Sequence, residues 1–137
     1  MAQLIFRDAY VYITNVDLSS YVKSVTINYG AAMQDDTVMG DTTKSNASGL
    51  FEWSITVEFV QDYGASLVDA TLFPLVGAAA FTVTIRPVKG TAVGATNPNF
   101  IGSAVLASYN PASGTVGDLH KCTATFQSAS TLARNTT

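Results

Sequence analysis

Charge is what this sequence has least of. Charged residues make up 12% of its 137 positions, about half of the usual share. A solitary soluble domain generally carries more charge to stay dispersed, so the shortage implies that much of the surface is covered by other protein. Cysteine and histidine are nearly absent too. Cys122 stands alone, which excludes an intrachain disulfide framework, and His120 is the one imidazole that could join it in a zinc site. No stretch approaches the roughly 18 apolar residues of a membrane-spanning helix. The first residues lack a long apolar run behind basic ones, so synthesis and folding in a cytoplasm are expected.

The seven cations, Arg7, Lys23, Lys44, Arg86, Lys89, Lys121 and Arg134, are scattered. Tight nucleic-acid binding needs several of them along one face, and no such stripe is readable. The acids are less even. Between Asp41 and Asp69 lie Glu52, Glu58 and Asp62, opposed only by Lys44, so this segment carries a negative field.

What the sequence has in quantity is alternation. Tyr10 to Ile13 is a short β-prone run, broken by Asn15-Val-Asp17. Val25, Ile27 and Tyr29 alternate with Ser24, Thr26 and Asn28, which predicts a half-buried strand over about 21–29. Residues 30–50 hold no period and are rich in Gly, Asp, Thr, Ser and Asn, and they read as a loop of about twenty residues. The strongest signal follows: Phe51, Trp53, Ile55, Val57 and Phe59 point one way, and Glu52, Ser54, Thr56 and Glu58 the other.

From 65 to 75 the spacing turns helical, with Asp62 or Ser66 as candidate cap and Pro74 and Gly77 as the stop. Ala80 to Pro87 and Phe100 to Tyr109 read as strands, with Asn110-Pro-Ala-Ser-Gly114 as a turn between the second of them and a last strand over about 119–128. The expected fold is mainly β: an antiparallel β-sandwich or partly closed barrel with one flanking α-helix and a long inter-strand loop. One domain spans 1–128, and 129–137 is expected to be a flexible tail with nothing to anchor it.

No catalytic constellation is legible in the sequence. His120 and Cys122 share an alternation, yet same-face neighbours on a strand stand about 6.5 to 7 Å apart, and no motif supplies an oxyanion donor. Glu52 and Glu58 lie about 20 Å apart at strand rise, against roughly 5 to 10 Å for glycosidase carboxylates. Asp35, Asp36 and Asp41 lack the spacing of a calcium loop. No glycine-rich phosphate motif opens a helix. No catalytic residue, metal or cofactor is therefore expected.

The order of elements resembles the tail tube proteins, or major tail proteins, of long-tailed bacteriophages. The likeness rests on Asp17-Leu-Ser-Ser20 leading into Val22 to Tyr29, on the loop with Asp36-Thr37-Val-Met-Gly40, and on Gly49-Leu50 before Trp53-Ser-Ile-Thr-Val57. The Gln61-Asp62 exit, the helix and a strand closing on Arg86-Pro87 follow, and the whole spans about 17–110. The resemblance implies a structural virion protein, made in the host cytoplasm, whose copies form hexameric rings stacked into a tube. It implies further partners among the other tail proteins, and DNA passing without specific binding. Glu52, Ser54, Thr56 and Glu58 are then expected to face the lumen, since a polar, negative wall does not hold phosphates. Asp35, Asp36, Thr37, Met39, Asp41 and Lys44 are expected in a loop between subunits. Another virion β-domain, such as a tail terminator, head-tail connector or decoration protein, is the alternative, and a ligand-binding barrel or an enzyme is a third class.

Overall fold

A computed structural model describes residues 9–14, 16–65 and 67–136. Arg7, the turn residue Asn15 and the candidate cap Ser66 lie outside them. The strands are β1 (Tyr10–Ile13), β2 (Val16–Asp17), β3 (Val22–Asp35), β4 (Asn46–Val60), β5 (Phe81–Arg86), β6 (Asn99–Ser113), β7 (Lys121–Ser128) and β8 (Ala133–Asn135), with one helix, α1 (Val68–Leu72), between β4 and β5. The strands form one antiparallel sheet in the order β2-β1-β5-β6-β7-β4-β3, with β8 added to β6. Mainly β, antiparallel and with one helix, the fold is as expected; the sheet bends about its own core and does not close into a barrel.

That core follows from the alternation. Val11 and Ile13 from β1, Val83 and Ile85 from β5, Ile55, Val57 and Phe59 from β4, and Cys122, Ala124 and Phe126 from β7 join in a single apolar cluster. Phe81 meets Phe126 edge to face at 5.8 Å across the intervening β6, a favoured aromatic geometry. Val68, Thr71 and Leu72 of α1 are buried, at the spacing of one helical face.

The helix is shorter than expected. Pro74 has no N–H to donate, and the chain tightens into a 3₁₀ turn, Phe73–Leu75, before Gly77 takes a positive φ of 77°. Asp62 does not cap it with its side chain: its carboxylate accepts the Gly64 N–H at 2.9 Å, and its carbonyl accepts the Asp69 N–H at 3.1 Å.

The expected loop over 30–50 is mostly strand. β3 continues to Asp35 and β4 begins at Asn46, leaving only 36–45 as the tip of a long hairpin. Because β7 pairs with β4 only from Ser54 onward, the hairpin reaches roughly 25 Å beyond it at strand rise. Neither face of these arms is buried, so no apolar period marks them. A register shift between Ala31 and Met33 places a bulge on β4 at Gly49 and Leu50, where a Cβ on Gly49 would stand 3.1 Å from the Ala32 carbonyl oxygen.

Two further expectations are corrected. β6 runs through Asn110–Ser113, read as a turn from its sequence. Pro111 is accommodated because it falls in a register shift between Asn110 and Ser113, one of the places a strand tolerates proline. The C-terminal segment, expected to lack an anchor, is tied down. Ala133–Asn135 pairs with Asn99–Ile101, the Ser130 carbonyl accepts the Trp53 indole N–H at 2.7 Å, and the Ser130 hydroxyl accepts the Ser103 N–H at 3.0 Å.

Candidate functional site

The outward face of β3-β4-β7-β6 is largely polar, with Val60 and Val105 as apolar positions in it. The register sets Ser24, Thr26 and Asn28 of β3 beside Glu58, Thr56 and Ser54 of β4. These in turn lie beside Thr123, Thr125 and Gln127 of β7; on β6, Asn110 and Ser108 complete the first two rows, and Val105 stands beside Gln127. Of the four side chains singled out on β4, Glu52 is exposed and Ser54, Thr56 and Glu58 are half-buried, so all four share this solvent side. Lys121 stands at one end of the face, opposite Val60. Phe51, placed on the core side by its alternation, is 68% exposed. It lies beyond the end of the core and stacks on Tyr29 at 6.1 Å.

Two edges of this four-stranded part carry no partner among the described residues. β3 ends the sheet order. On β6, the partner on one side is β5, which stops at Ala104; beyond a single parallel bridge from Val76 to Leu106, residues 107–113 are unpaired on that side. Sequence reasoning did not find these edges, since pairing between distant strands leaves no local mark.

The loop residues are brought together at the hairpin tip. The Thr37 hydroxyl accepts the Ser45 N–H at 2.6 Å and donates to the Ser45 carbonyl at 3.1 Å. Asp35 accepts the Thr37 N–H at 3.0 Å, and the nearby Thr37 hydroxyl first, then this N–H, hold its carboxyl below the usual range. Asp41 accepts the Val38 N–H at 3.0 Å while its own N–H donates to the Val38 carbonyl at 3.2 Å, closing a turn in which Gly40 takes φ 96°. Lys44 pairs loosely with Asp35 at 3.9 Å. Met39 is fully exposed. The carboxylates of Asp35 and Asp41 are thus spent on turn geometry.

His120 and Cys122 do not form a pair. Cys122 is buried on the core side of β7, where burial and then the nearby Asp69 push its thiol up to about 11. His120 precedes β7 on the surface, its Nε2 2.7 Å from the Tyr63 hydroxyl. Among the described residues no cluster of three His, Cys, Asp or Glu side chains exists, and no helix is long and apolar enough to cross a membrane.

A polar network unseen in the sequence braces the end of the sheet near His120. Gln61, nearly buried, donates to the Tyr109 hydroxyl at 2.9 Å and to the Pro111 carbonyl at 2.6 Å. The Tyr109 hydroxyl donates onward to Asp69 at 2.8 Å, joining β6, α1 and the residue that follows β4. Burial first, and then Asp69, raise the Tyr109 phenol well above its ordinary value.

No family model matches the chain, and no characterised protein matches it in sequence. Solved structures do match its fold. A chain of the virion of a native gene transfer agent particle superposes with TM-score 0.75 at 13% identity, over 97% of this chain and 99% of that one. A chain from the tail of an empty gene transfer agent particle, with C6 symmetry, gives 0.73 at 10% identity, over 97% and 99%. The SPP1 tail tube gives 0.74 at 10%, over 98% of this chain and 80% of that one. The chain therefore has the fold of tail tube structures along nearly its whole length.

Proposed function

We propose that the chain is a structural subunit of a phage-type tail tube, located in the virion tail and built to assemble with copies of itself. The observation that carries this reading is the pair of unpaired edges on either side of a four-stranded polar face. β3, β4, β7 and β6 alternate in direction, and their number is even. Setting the β3 edge of one copy against the free edge of β6 in the next therefore keeps every junction antiparallel around a ring. An exposed β edge is an aggregation hazard in a monomer and an assembly surface in a closed ring. The C6 symmetry of the matched gene transfer agent tail suits six copies per ring.

In such a ring the polar faces become one inner wall. Glu52 and Glu58 repel phosphate, and Ser54 and Thr56 offer short neutral side chains, so DNA slides without being held. The hairpin tip, from Asp35 to Lys44, reaches past the wall toward the neighbouring ring. The work is structural and uses no cofactor. Negative-stain microscopy of the purified protein at rising concentration tests this: hollow tubes are expected, and a species that stays monomeric at every concentration overturns it. A second reading, a part of an adsorption hub and not of the tube, takes the weaker likeness to the SPP1 Dit protein of a hub adsorption apparatus, with TM-score 0.55 at 16% identity over half of that chain. Rings without tubes would select it.

A further inference from the structure

The large exposed apolar side chains fall into sets, and two of these adjoin the two free edges. On the core-side face of the overhanging hairpin, beside the β3 edge, Tyr29 is 56% exposed and Phe51 stacks on it, with Leu50 beside them and Met33 two pairs further out. The first three, with Trp53, line an open groove of about 410 Å³ against the segment 128–132. The second set, Phe73 and Val76, is 65% and 49% exposed. It belongs to the 3₁₀ turn after α1, whose Val76 bridges to Leu106 at the point where the free edge of β6 begins. Neither set contains a charge.

We infer that the stripe Tyr29, Leu50 and Phe51 is a docking face for a second copy of this chain and receives that copy's Phe73–Val76 turn within the same ring. The inference rests on the ring reading above and names the contact that would accompany its edge pairing. When β3 of one copy lies along residues 107–113 of the next, the core-side face of its hairpin turns toward the side of β6 on which α1 and the 3₁₀ turn pack. Backbone hydrogen bonds alone do not fix which strand pairs with which, because any edge offers the same groups. An apolar pair beside the edge supplies the missing selectivity and register. Burial of side chains this exposed in the monomer also supplies the hydrophobic drive that edge pairing lacks.

The test uses the full chain carrying Leu50→Cys and Phe73→Cys together, assembled and then oxidised. Cys122 is fully buried and stays out of the chemistry. A non-reducing gel is expected to show a ladder that stops at the closed ring, six copies if the symmetry follows that of the matched tail. Tubes without cross-links, or a ladder running beyond one ring, overturn the inference and leave the tube reading standing. Absence of any wild-type assembly overturns the tube reading and this contact with it. Phe73→Ser gives an independent readout. Its monomer should keep the wild-type circular dichroism, since the side chain is exposed, while ring formation falls at least tenfold at equal concentration; normal rings from this variant also overturn the proposal.

Discussion

Gly102 of β6 lies beneath the indole of Trp53: a Cβ at this position would stand 2.6 Å from Cζ2 and 3.4 Å from the Thr131 carbonyl oxygen. The same indole donates to the Ser130 carbonyl, so one glycine lets the β4 tryptophan clamp the C-terminal segment to the sheet. Gly102→Ala is expected to push the ring outward and to cost about 1–3 kcal/mol, the usual range for overpacking. Urea unfolding followed by Trp53 fluorescence measures it, with a lower midpoint and an unchanged slope. An unaltered midpoint would mean that the clamp does not hold.

Gln61 satisfies three partners at once, since its side-chain oxygen also accepts the Asp62 N–H at 3.0 Å. Gln61→Ala leaves the Pro111 carbonyl and the Asp62 N–H without it, and is expected to cost about 2 kcal/mol. Tyr109→Phe removes only the hydroxyl, and Gln61 keeps Pro111 while half-exposed Asp69 can turn to water, so the loss should be about 1 kcal/mol. Equal losses in urea melts, or a larger one for Tyr109→Phe, contradict this hierarchy.

The sequence made legible whatever has one face in the core and one in water. Ile55, Val57 and Phe59 alternate because β4 is half-buried, and β5 and β7 were readable on the same ground. The hairpin arms were hidden because both of their faces meet solvent in the monomer, and a strand without a buried face has no period to read. β6 was cut short by Pro111, whose bulge is set by β7 rather than by its neighbours in sequence. β8 is three residues long, and its pairing with Asn99–Ile101 has no local signature. The polar face of β4 was visible as a row of side chains, yet the partner rows from β3, β7 and β6 that make it a surface come only from register. Asn97 shows the same limit: its side chain pins the connection after β5 by bonding both the N–H and the carbonyl of Val88, at 3.0 and 3.1 Å.

Alkaline pH should unfold the protein earlier than its carboxylates suggest. Burial raises Cys122 from 9.0 to about 11 and raises Tyr109 above 10.0. Both groups are neutral when protonated, and their folded pKa values exceed the unfolded ones. The stability they contribute is complete below the unfolded values and drains away as pH rises through the folded ones. The urea midpoint is therefore expected to hold up to about pH 9 and to fall between 9 and 11. Cys122→Ala should make that fall shallower. A thiol reagent at pH 8 should label the native protein far more slowly than the unfolded chain.

Glu52 and Glu58 face solvent and take part in no ion pair described in the structure, so Glu52→Gln with Glu58→Gln should change monomer stability by no more than about 0.5 kcal/mol and should leave assembly intact. Their effect belongs to the channel. Tubes of the neutral variant should retain fluorescent DNA at low salt better than wild-type tubes do and should release it more slowly, while Glu→Lys at both positions should retain it most strongly, with a steep salt dependence. Identical retention by all three would place these side chains away from the DNA path.

The hairpin tip offers the cleanest separation of ring closure from ring stacking. Asp35 pairs with Asn46 at the base of the tip, so residues 36–45 can be replaced by Asn-Gly, a two-residue turn suited to joining antiparallel strands. Every residue removed is exposed, and shortening a loop costs little, so the monomer should melt within about 1 kcal/mol of wild type. The lateral elements, β3, the free edge of β6 and the Phe73 turn, are untouched. Tubes should nevertheless fail to form, with isolated rings in their place, because the wall end opposite the tip, near Lys23 and Lys121, loses the acidic, Met39-bearing tip that would meet it from the next ring. Raising the salt on wild-type tubes should loosen stacking in the same direction, as expected for charges near a surface. Tubes of ordinary length from the shortened hairpin would take the tip out of the assembly altogether.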